Sequence, residues 1–402
     1  MEKEEQKKQN MGATSNESKS SKSGAAAPIV DAVDEKAERL PTVPLESLKA
    51  IGELEPPAIS VHSIESTRDF SVPTPLVVQP AEYHRTLGEW LRIFLDGVRP
   101  TYLAMSLFPF LFGSVLAWSE RAGKETLLGL FKPAFVLGLV AVLLIHLGAN
   151  LINDYYDYIR GVDTSNPLGP GGLIQQGLLK PTRILAIGLL FLVLGAIAGA
   201  SMAIVCGAWL LALFGLVGLA CAYFYSASSK SISSLCLGPV AALVIFGPLV
   251  TMSAYIAEGG SDLRKVFIYS LPFGLLAAAS LLANDMRDLE GDEQAHKYTL
   301  ANRLGLKWSR WLFLALLMIP YVIVAALSMP SHTPHWFLTV FWTLPLLVNI
   351  VSGVLRADNP NSLNLVFRAM LRQNSWFGLF MVLGLIVSTL ISVLSFMPHL
   401  TR

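Results

Sequence analysis

Residues 153–163 read NDYYDYIRGVD and residues 284–292 read NDMRDLEGD. Both begin Asn-Asp and carry a second Asp three residues after the first. On a helix, positions i, i+3, i+4 and i+7 share a face. Asn150, Asp154 and Asp157 then form one stripe, and Asp285, Asp288 and Asp292 another, each about 10 Å long. Asp163 follows Gly161 and is expected on the adjoining loop. Carboxylates this close repel one another, and beside lipid an unpaired one costs on the order of several kcal/mol. The two stretches hold more carboxylates than bases, since only Arg160 and Arg287 lie within them. A divalent ion is the expected partner. Hard oxygen ligands in incomplete sets suit Mg²⁺, which keeps waters and is shared with substrate phosphates. Two such clusters point to a Mg²⁺-bridged diphosphate. A diphosphate that belongs at a bilayer is an isoprenoid diphosphate, whose allylic C–O bond ionises more readily when metal offsets the leaving group's charge.

The elements that position these groups are apolar helices. The 402-residue chain is 53% hydrophobic and 15% charged, where a soluble domain carries roughly a quarter charged residues. Its net charge of +1 gives no basic patch for nucleic acid. Nine stretches are long enough to cross a hydrocarbon core of about 30 Å: 101–118, 134–156, 183–205, 208–226, 237–257, 267–288, 309–328, 335–355 and 376–396. The expected fold is an all-α polytopic membrane protein with about nine spans around a central cavity. The motifs fall at the ends of spans two and six, four spans apart, which suggests two helical halves facing each other. Basic residues such as Arg160, Lys180, Lys297, Arg303, Arg310, Arg356 and Arg372 crowd the loops after even-numbered spans. The positive-inside rule puts those loops and the N-terminus in the cytoplasm, in the plasma membrane if the source is bacterial.

Residues 1–82 are polar, rich in Ser and Lys at the start, and expected to be a disordered tail. The remainder, 83–402, is expected to be an interfacial helix plus the membrane domain. In the helix, 83–99, Trp90, Ile93, Phe94 and Val98 share a face, so it reads as amphipathic. Cys206, Cys221 and Cys236 lack metal-binding spacing and read as packing residues.

Four stretches carry a resemblance: RPTYLAMSLFPFLFGSVLA (99–117), GANLINDYYDYIRGVDT (148–164), LGPGGLIQQGLL (168–179) and NDMRDLEGDEQAHKYTLANRLG (284–305). Together they resemble the UbiA superfamily of intramembrane prenyltransferases over about residues 85–396. The six-residue gap between Asp157 and Asp163 makes the chain most similar to the 1,4-dihydroxy-2-naphthoate polyprenyltransferases of menaquinone synthesis. It departs from that branch at Ser228-Ser229, at Ala295-His296 and at Asp285. The resemblance implies nine helices and two Mg²⁺ ions, held by Asp154, Asp157 and Asp163 on one side and Asp285, Asp288 and Asp292 on the other. It implies transfer of a polyprenyl group to an aromatic acceptor, with loss of CO₂ in the naphthoate branch. Asp154, Asp157, Asp285 and Asp288 would be the catalytic set.

Asn150 and Asn153 would add ligands or orient the carboxylates. Lys297, Arg160, Arg287 and Lys230 are candidates to hold diphosphate oxygens, Lys297 foremost because it lies in the second motif. Tyr155, Tyr156 and Tyr225 could face an allylic cation with their rings, though an interfacial belt accounts for such tyrosines equally well. The 168–177 loop could bring backbone N–H groups to the substrate. His146, one turn before Asn150, reads as a packing histidine. Other readings remain open: a UbiA-type prenyltransferase with a different aromatic acceptor, a membrane terpene cyclase with the same metal site, and a cation-coupled transporter. The carboxylates' place at helix ends, away from the midplane, weighs against the transporter.

Overall fold

The computed structural model describes residues 86–122, 127–162, 168, 172–228, 230–329 and 335–396. The polar segment 1–82, residues 83–85 and Asp163 lie outside the described residues.

Among the described residues, eight helices are long and apolar enough to cross a membrane. After the short amphipathic α1 (Leu87–Val98) come α2 (Pro100–Ser119, entered by a 3₁₀ turn), α3 (Pro133–Ile159), α4 (Pro181–Cys206) and the shorter α5 (Trp209–Phe224). Next are α6 (Gly238–Ala257), α7 (Leu263–Arg287), a six-residue α8 (Leu289–Gln294) and α9 (Leu300–Leu327). The chain ends with α10 (His335–Arg356) and α11 (Pro360–Phe396). The expected nine spans therefore resolve into eight of full length plus α5, whose 16 residues rise only about 24 Å. Two local features cut α5 short. Gly207, in the left-handed conformation (φ 61°), stops α4 immediately before it. At its far end Arg160 donates to the carbonyls of Ser226 and Ser228, each at 2.5 Å, and turns the chain away.

Helix starts follow local chemistry. Pro133 and Pro181 occupy first-turn positions, where the missing N–H costs nothing. α9 opens with a capping box between Thr299 and Asn302. α11 begins 16 residues earlier than its apolar run suggests. Asn359 and Ser362 cap it reciprocally (2.9 and 3.3 Å), and its polar residues find partners inside the bundle. Asn374 donates to Ser280 Oγ at 2.7 Å.

α2 and α7 form the enclosed centre. Of their most apolar stretches 67% and 72% are buried, against 39% or less in the other six. Phe112 of α2 packs between Phe273 of α7 and Phe337 of α10, with ring centres at 5.2 and 5.9 Å. Leu190, Val193 and Ile197 of α4 and Leu216 of α5 are exposed, as a lipid-facing surface requires. Lacking a hydrophobic drive between them in lipid, such helices pack through small residues. A Cβ on Gly274 of α7 would stand 2.3 Å from the Leu243 carbonyl oxygen of α6. Nearby, α6 widens into a π turn over Ile245–Leu249, which contains Pro248. α1 does more than rest at an interface: Gly97 is buried, and a Cβ there would collide with Leu173 at 2.2 Å. Ile93 packs into the same cluster as Leu173 and Ile174.

Candidate active site

The two acidic stretches meet. α3 runs without a break through Asp154 and Asp157 to Ile159. α7 ends at Arg287, and Asp288 caps both α7 and α8. The expected continuous stripe over Asp285, Asp288 and Asp292 is therefore broken at Asp288. Asp292 rides on α8, and Asn302 of the α9 cap holds that turn by donating to the Leu289 carbonyl at 2.7 Å. The chain then folds back so that Lys297 returns to the carboxylates. Its Nζ lies 3.4 Å from Asp157 Oδ2 and 3.8 Å from Asp292 Oδ1. Burial alone would lower the Lys297 pKa, but Asp157, Asp292 and Asp285 outweigh it and raise the value well above normal. Burial and the nearby Asp285 push the Tyr225 phenol up, so it stays protonated.

Two arginines hold the remaining carboxylates. Arg287 grips Asp288 with Nε at 2.7 Å and Nη2 at 2.5 Å, and donates to Asn284 Oδ1 at 3.0 Å. Its guanidinium stacks on Phe367 at 5.0 Å. Arg99 forms a buried ion pair with Asp154. Arg99 is the residue before Pro100 and sits in the left-handed region (φ 56°), which is uncommon for a residue other than glycine. That bend turns the chain from α1 into α2 and sends the guanidinium toward α3. Asn153 donates to Asp157 Oδ2 at 3.0 Å and to Ser226 Oγ at 2.8 Å, which ties the loop after α5 to the first stretch.

These groups stand at one end of an elongated cavity. Its wall follows α3 from Asp157 back to Gly138, a rise of about 28 Å. Asn150, Asn153, Asp157, Tyr225, Asp285, Asp288 and Lys297 line it together with Arg99, Tyr102 and Asn284. Beyond this polar end the lining is mostly apolar, with Met202, Phe214, Gly218, Phe246 and Val250. Asp154, Asp292 and Arg287 stand behind the wall, each within an ion pair.

Not every residue expected at the site lies there. Tyr156 stacks on the Arg160 guanidinium at 5.4 Å, and Arg160 clasps the Ser226–Ser228 turn, so neither lines the cavity. Tyr155 packs against the cluster around Leu173, and Lys230 is exposed on the loop before α6. Arg99 and Ser226 were missed. The sequence signal for Arg99 is slight, an Arg-Pro pair before an apolar run. Ser226 had none.

Among the described residues no three Asp, Glu, His or Cys side chains gather closely enough to chelate an ion by themselves. Mg²⁺ asks less than that, because one or two carboxylates with waters and substrate phosphates suffice. Asp157 Oδ1 and the Asn150 amide nitrogen are buried without a hydrogen-bond partner, and both residues line the cavity. One is an acceptor for a cation and the other a donor for an anion. Such orphaned groups are expensive unless something binds them, so the residues present fit a metal-bound anion.

The model of the UbiA prenyltransferase family matches residues 106–376. The chain belongs to the UbiA prenyltransferase family. It is a prenyltransferase and a multi-pass membrane protein. Over 314 residues it is 29% identical to the 1,4-dihydroxy-2-naphthoate octaprenyltransferase of Bacillus subtilis, a match covering 77% of this chain and 96% of that one. Over 299 residues it is 30% identical to the human UbiA prenyltransferase domain-containing protein 1, covering 73% and 83%. The structure of a UbiA homologue from Archaeoglobus fulgidus bound to GPP and Mg²⁺ superposes with a TM-score of 0.50 at 18% identity, over 72% of this chain and 99% of that one. The UbiA fold expected from the sequence is thus the fold observed.

Proposed function

We propose that this UbiA-family enzyme transfers a polyprenyl group from an isoprenoid diphosphate to 1,4-dihydroxy-2-naphthoate, with decarboxylation, as a step in menaquinone synthesis. The carrying observation is the meeting of the two acidic stretches across the polar end of an apolar cavity, with Lys297 between Asp157 and Asp292. The similarity to a naphthoate octaprenyltransferase, over 96% of that protein and 77% of this chain, supports the choice of acceptor.

Asp157, Asp285 and Asp288 on the cavity wall, Asp154 and Asp292 behind them, and Asp163 of the first motif would hold Mg²⁺, two ions by the symmetry of the motifs. Mg²⁺ when bound supplies the positive charge that stabilises the departing diphosphate. Asn150 donates to a diphosphate oxygen, and Lys297 places its ammonium beside the same group. The allylic C–O bond breaks with its electron pair leaving on the diphosphate. A ring π pair of the acceptor forms the new C–C bond. The ring carboxylate departs as CO₂ and returns its pair to the ring. Tyr225, protonated, offers its ring and hydroxyl to the cavity, where the apolar wall accommodates the polyprenyl tail and keeps water from the cation. The acidic end is assigned to the cytoplasmic side, by the basic loops, and residues 1–82 to a tail separate from the 83–402 domain.

Membranes containing the protein are incubated with Mg²⁺, a labelled polyprenyl diphosphate and each of 1,4-dihydroxy-2-naphthoate, 4-hydroxybenzoate and homogentisate. The expected product carries the prenyl group, lacks the naphthoate carboxyl, and vanishes when EDTA replaces Mg²⁺. Product only from another acceptor would overturn the naphthoate assignment. Diphosphate release with a cyclic hydrocarbon and no prenylated ring would instead mark a terpene cyclase.

A further inference from the structure

His146 is the one ionisable side chain on the α3 wall of the cavity above the acidic stretch. It is 7% exposed. Its Nδ1 lies 2.8 Å from Ser106 Oγ, and Phe246 flanks its ring at 4.9 Å. Ser106 also bonds the Leu103 carbonyl at 3.1 Å. A hydroxyl has a single proton, and a carbonyl can only accept. With both contacts made as hydrogen bonds, Ser106 donates to Leu103 and accepts from His146, which assigns the imidazole proton to Nδ1. Nε2 is left as an acceptor with no hydrogen bond to a described residue, on a side chain that lines the cavity.

An unpaired nitrogen facing a hydrocarbon tail would cost about 1–3 kcal/mol. The natural occupant at this depth is a group that brings an O–H. The ionised diphosphate brings none, and the polyprenyl chain has no polar group at all. Only the aromatic acceptor carries a hydroxyl. The depth agrees: His146 lies one turn, about 6 Å, beyond Asn150, which is the next position inward from the diphosphate end.

We propose that His146 is an acceptor-binding residue: its Nε2 accepts a hydrogen bond from a ring hydroxyl of the aromatic acceptor, and Ser106 is the positioning residue that fixes its tautomer. The proposal rests on the prenyl-transfer reading above. The bond selects hydroxyarenes and turns the ring so that a carbon beside the hydroxyl faces the allylic carbon. It also draws electron density from the O–H into the ring, which favours attack.

The test measures KM for both substrates in detergent-solubilised wild type, His146→Phe and His146→Gln. The probes are 1,4-dihydroxy-2-naphthoate and its two mono-methyl ethers. In His146→Phe the KM for the acceptor rises about tenfold, the scale of one neutral hydrogen bond, while KM for the prenyl diphosphate stays within twofold. His146→Gln, which can present an amide oxygen, recovers part of the loss. On wild type one of the ethers is poorer than its parent by a similar factor, and on His146→Phe that difference disappears. Equal changes in both KM values, or discrimination against the ether that survives in His146→Phe, would overturn the assignment. Failure of the wild type to prenylate any of the three probes, despite Mg²⁺-dependent binding of the prenyl diphosphate, would overturn the acceptor reading on which it rests.

Discussion

Lys297 reaches back across 140 residues of sequence to place its ammonium 3.4 Å from Asp157. The same nitrogen stands 3.8 Å from Asp292. One cation thus joins an acidic residue from each half of the bundle, with no other tie of this kind at the cavity mouth among the described residues. Replacing it with Met removes the cation that Asp157 and Asp292 share. Lys297→Met is expected to lower kcat/KM for the prenyl diphosphate about a hundredfold, near 2.7 kcal/mol. Lys297→Arg should retain part of the activity. Initial rates against diphosphate concentration check this.

The carboxylates divide into two kinds, and alanine scanning should separate them. Asp154 and Asp288 neutralise the buried Arg99 and Arg287. Removing either strands an arginine, at about 3–5 kcal/mol. Asp154→Ala and Asp288→Ala are therefore expected to lose turnover and also to melt several degrees lower in detergent. Asp157→Ala leaves Lys297 its ion pair with Asp292, so it should lose turnover with little change in melting temperature. Equal melting shifts in all three variants would contradict the division.

The stability that Lys297 contributes without metal should be insensitive to pH until strongly alkaline conditions. The Lys297 pKa is raised in the folded protein above its unfolded value of about 10.4. A raised folded pKa contributes stability that is complete below the unfolded pKa and is lost only as pH climbs through the folded one. In chelator, the stability gap between wild type and Lys297→Met should therefore stay constant from about pH 7 to pH 9.5. Thermal unfolding across that range reads it directly. A gap that narrows would show that Lys297 loses its proton earlier than this environment allows.

Close helix approach gives a prediction remote from the chemistry. Gly274→Ala places a methyl group 2.3 Å from the Leu243 carbonyl and should cost about 1–3 kcal/mol by overpacking. Gly88→Ala, in α1 with nothing within 4 Å, should be neutral or slightly stabilising. Melting temperatures of the two variants in one detergent make the comparison.

Much of this was legible in the sequence because lipid imposes a strong pattern. Long apolar runs fix helices almost without regard to packing, so eight spans stand where hydropathy puts them. The exceptions are places where polar residues are satisfied inside the protein. α11 starts at Pro360 because Asn374 finds Ser280 and because Asn359 caps the helix, pairings no local pattern announces. Asp157 and Asp285 could be assigned to one site from their repeated motif. Arg99 is marked in the sequence only by the Arg-Pro pair, and its ion pair with Asp154 depends on a left-handed residue that no local pattern announces. Tyr156 and Arg160 erred the other way: they lie in the motif by sequence, but helix rotation points them at the Ser226–Ser228 turn and away from the cavity.

α5 has a consequence for the surrounding bilayer. Leu211, Phe214 and Gly218 of this helix form part of the cavity wall, yet it rises only about 24 Å where the hydrocarbon core is about 30 Å thick. A span that is too short draws the lipid surface inward around it. Beside α5, then, the bilayer is expected to thin next to the cavity wall. A molecule with a highly charged head and a long greasy tail has less oil to cross beside so short a helix.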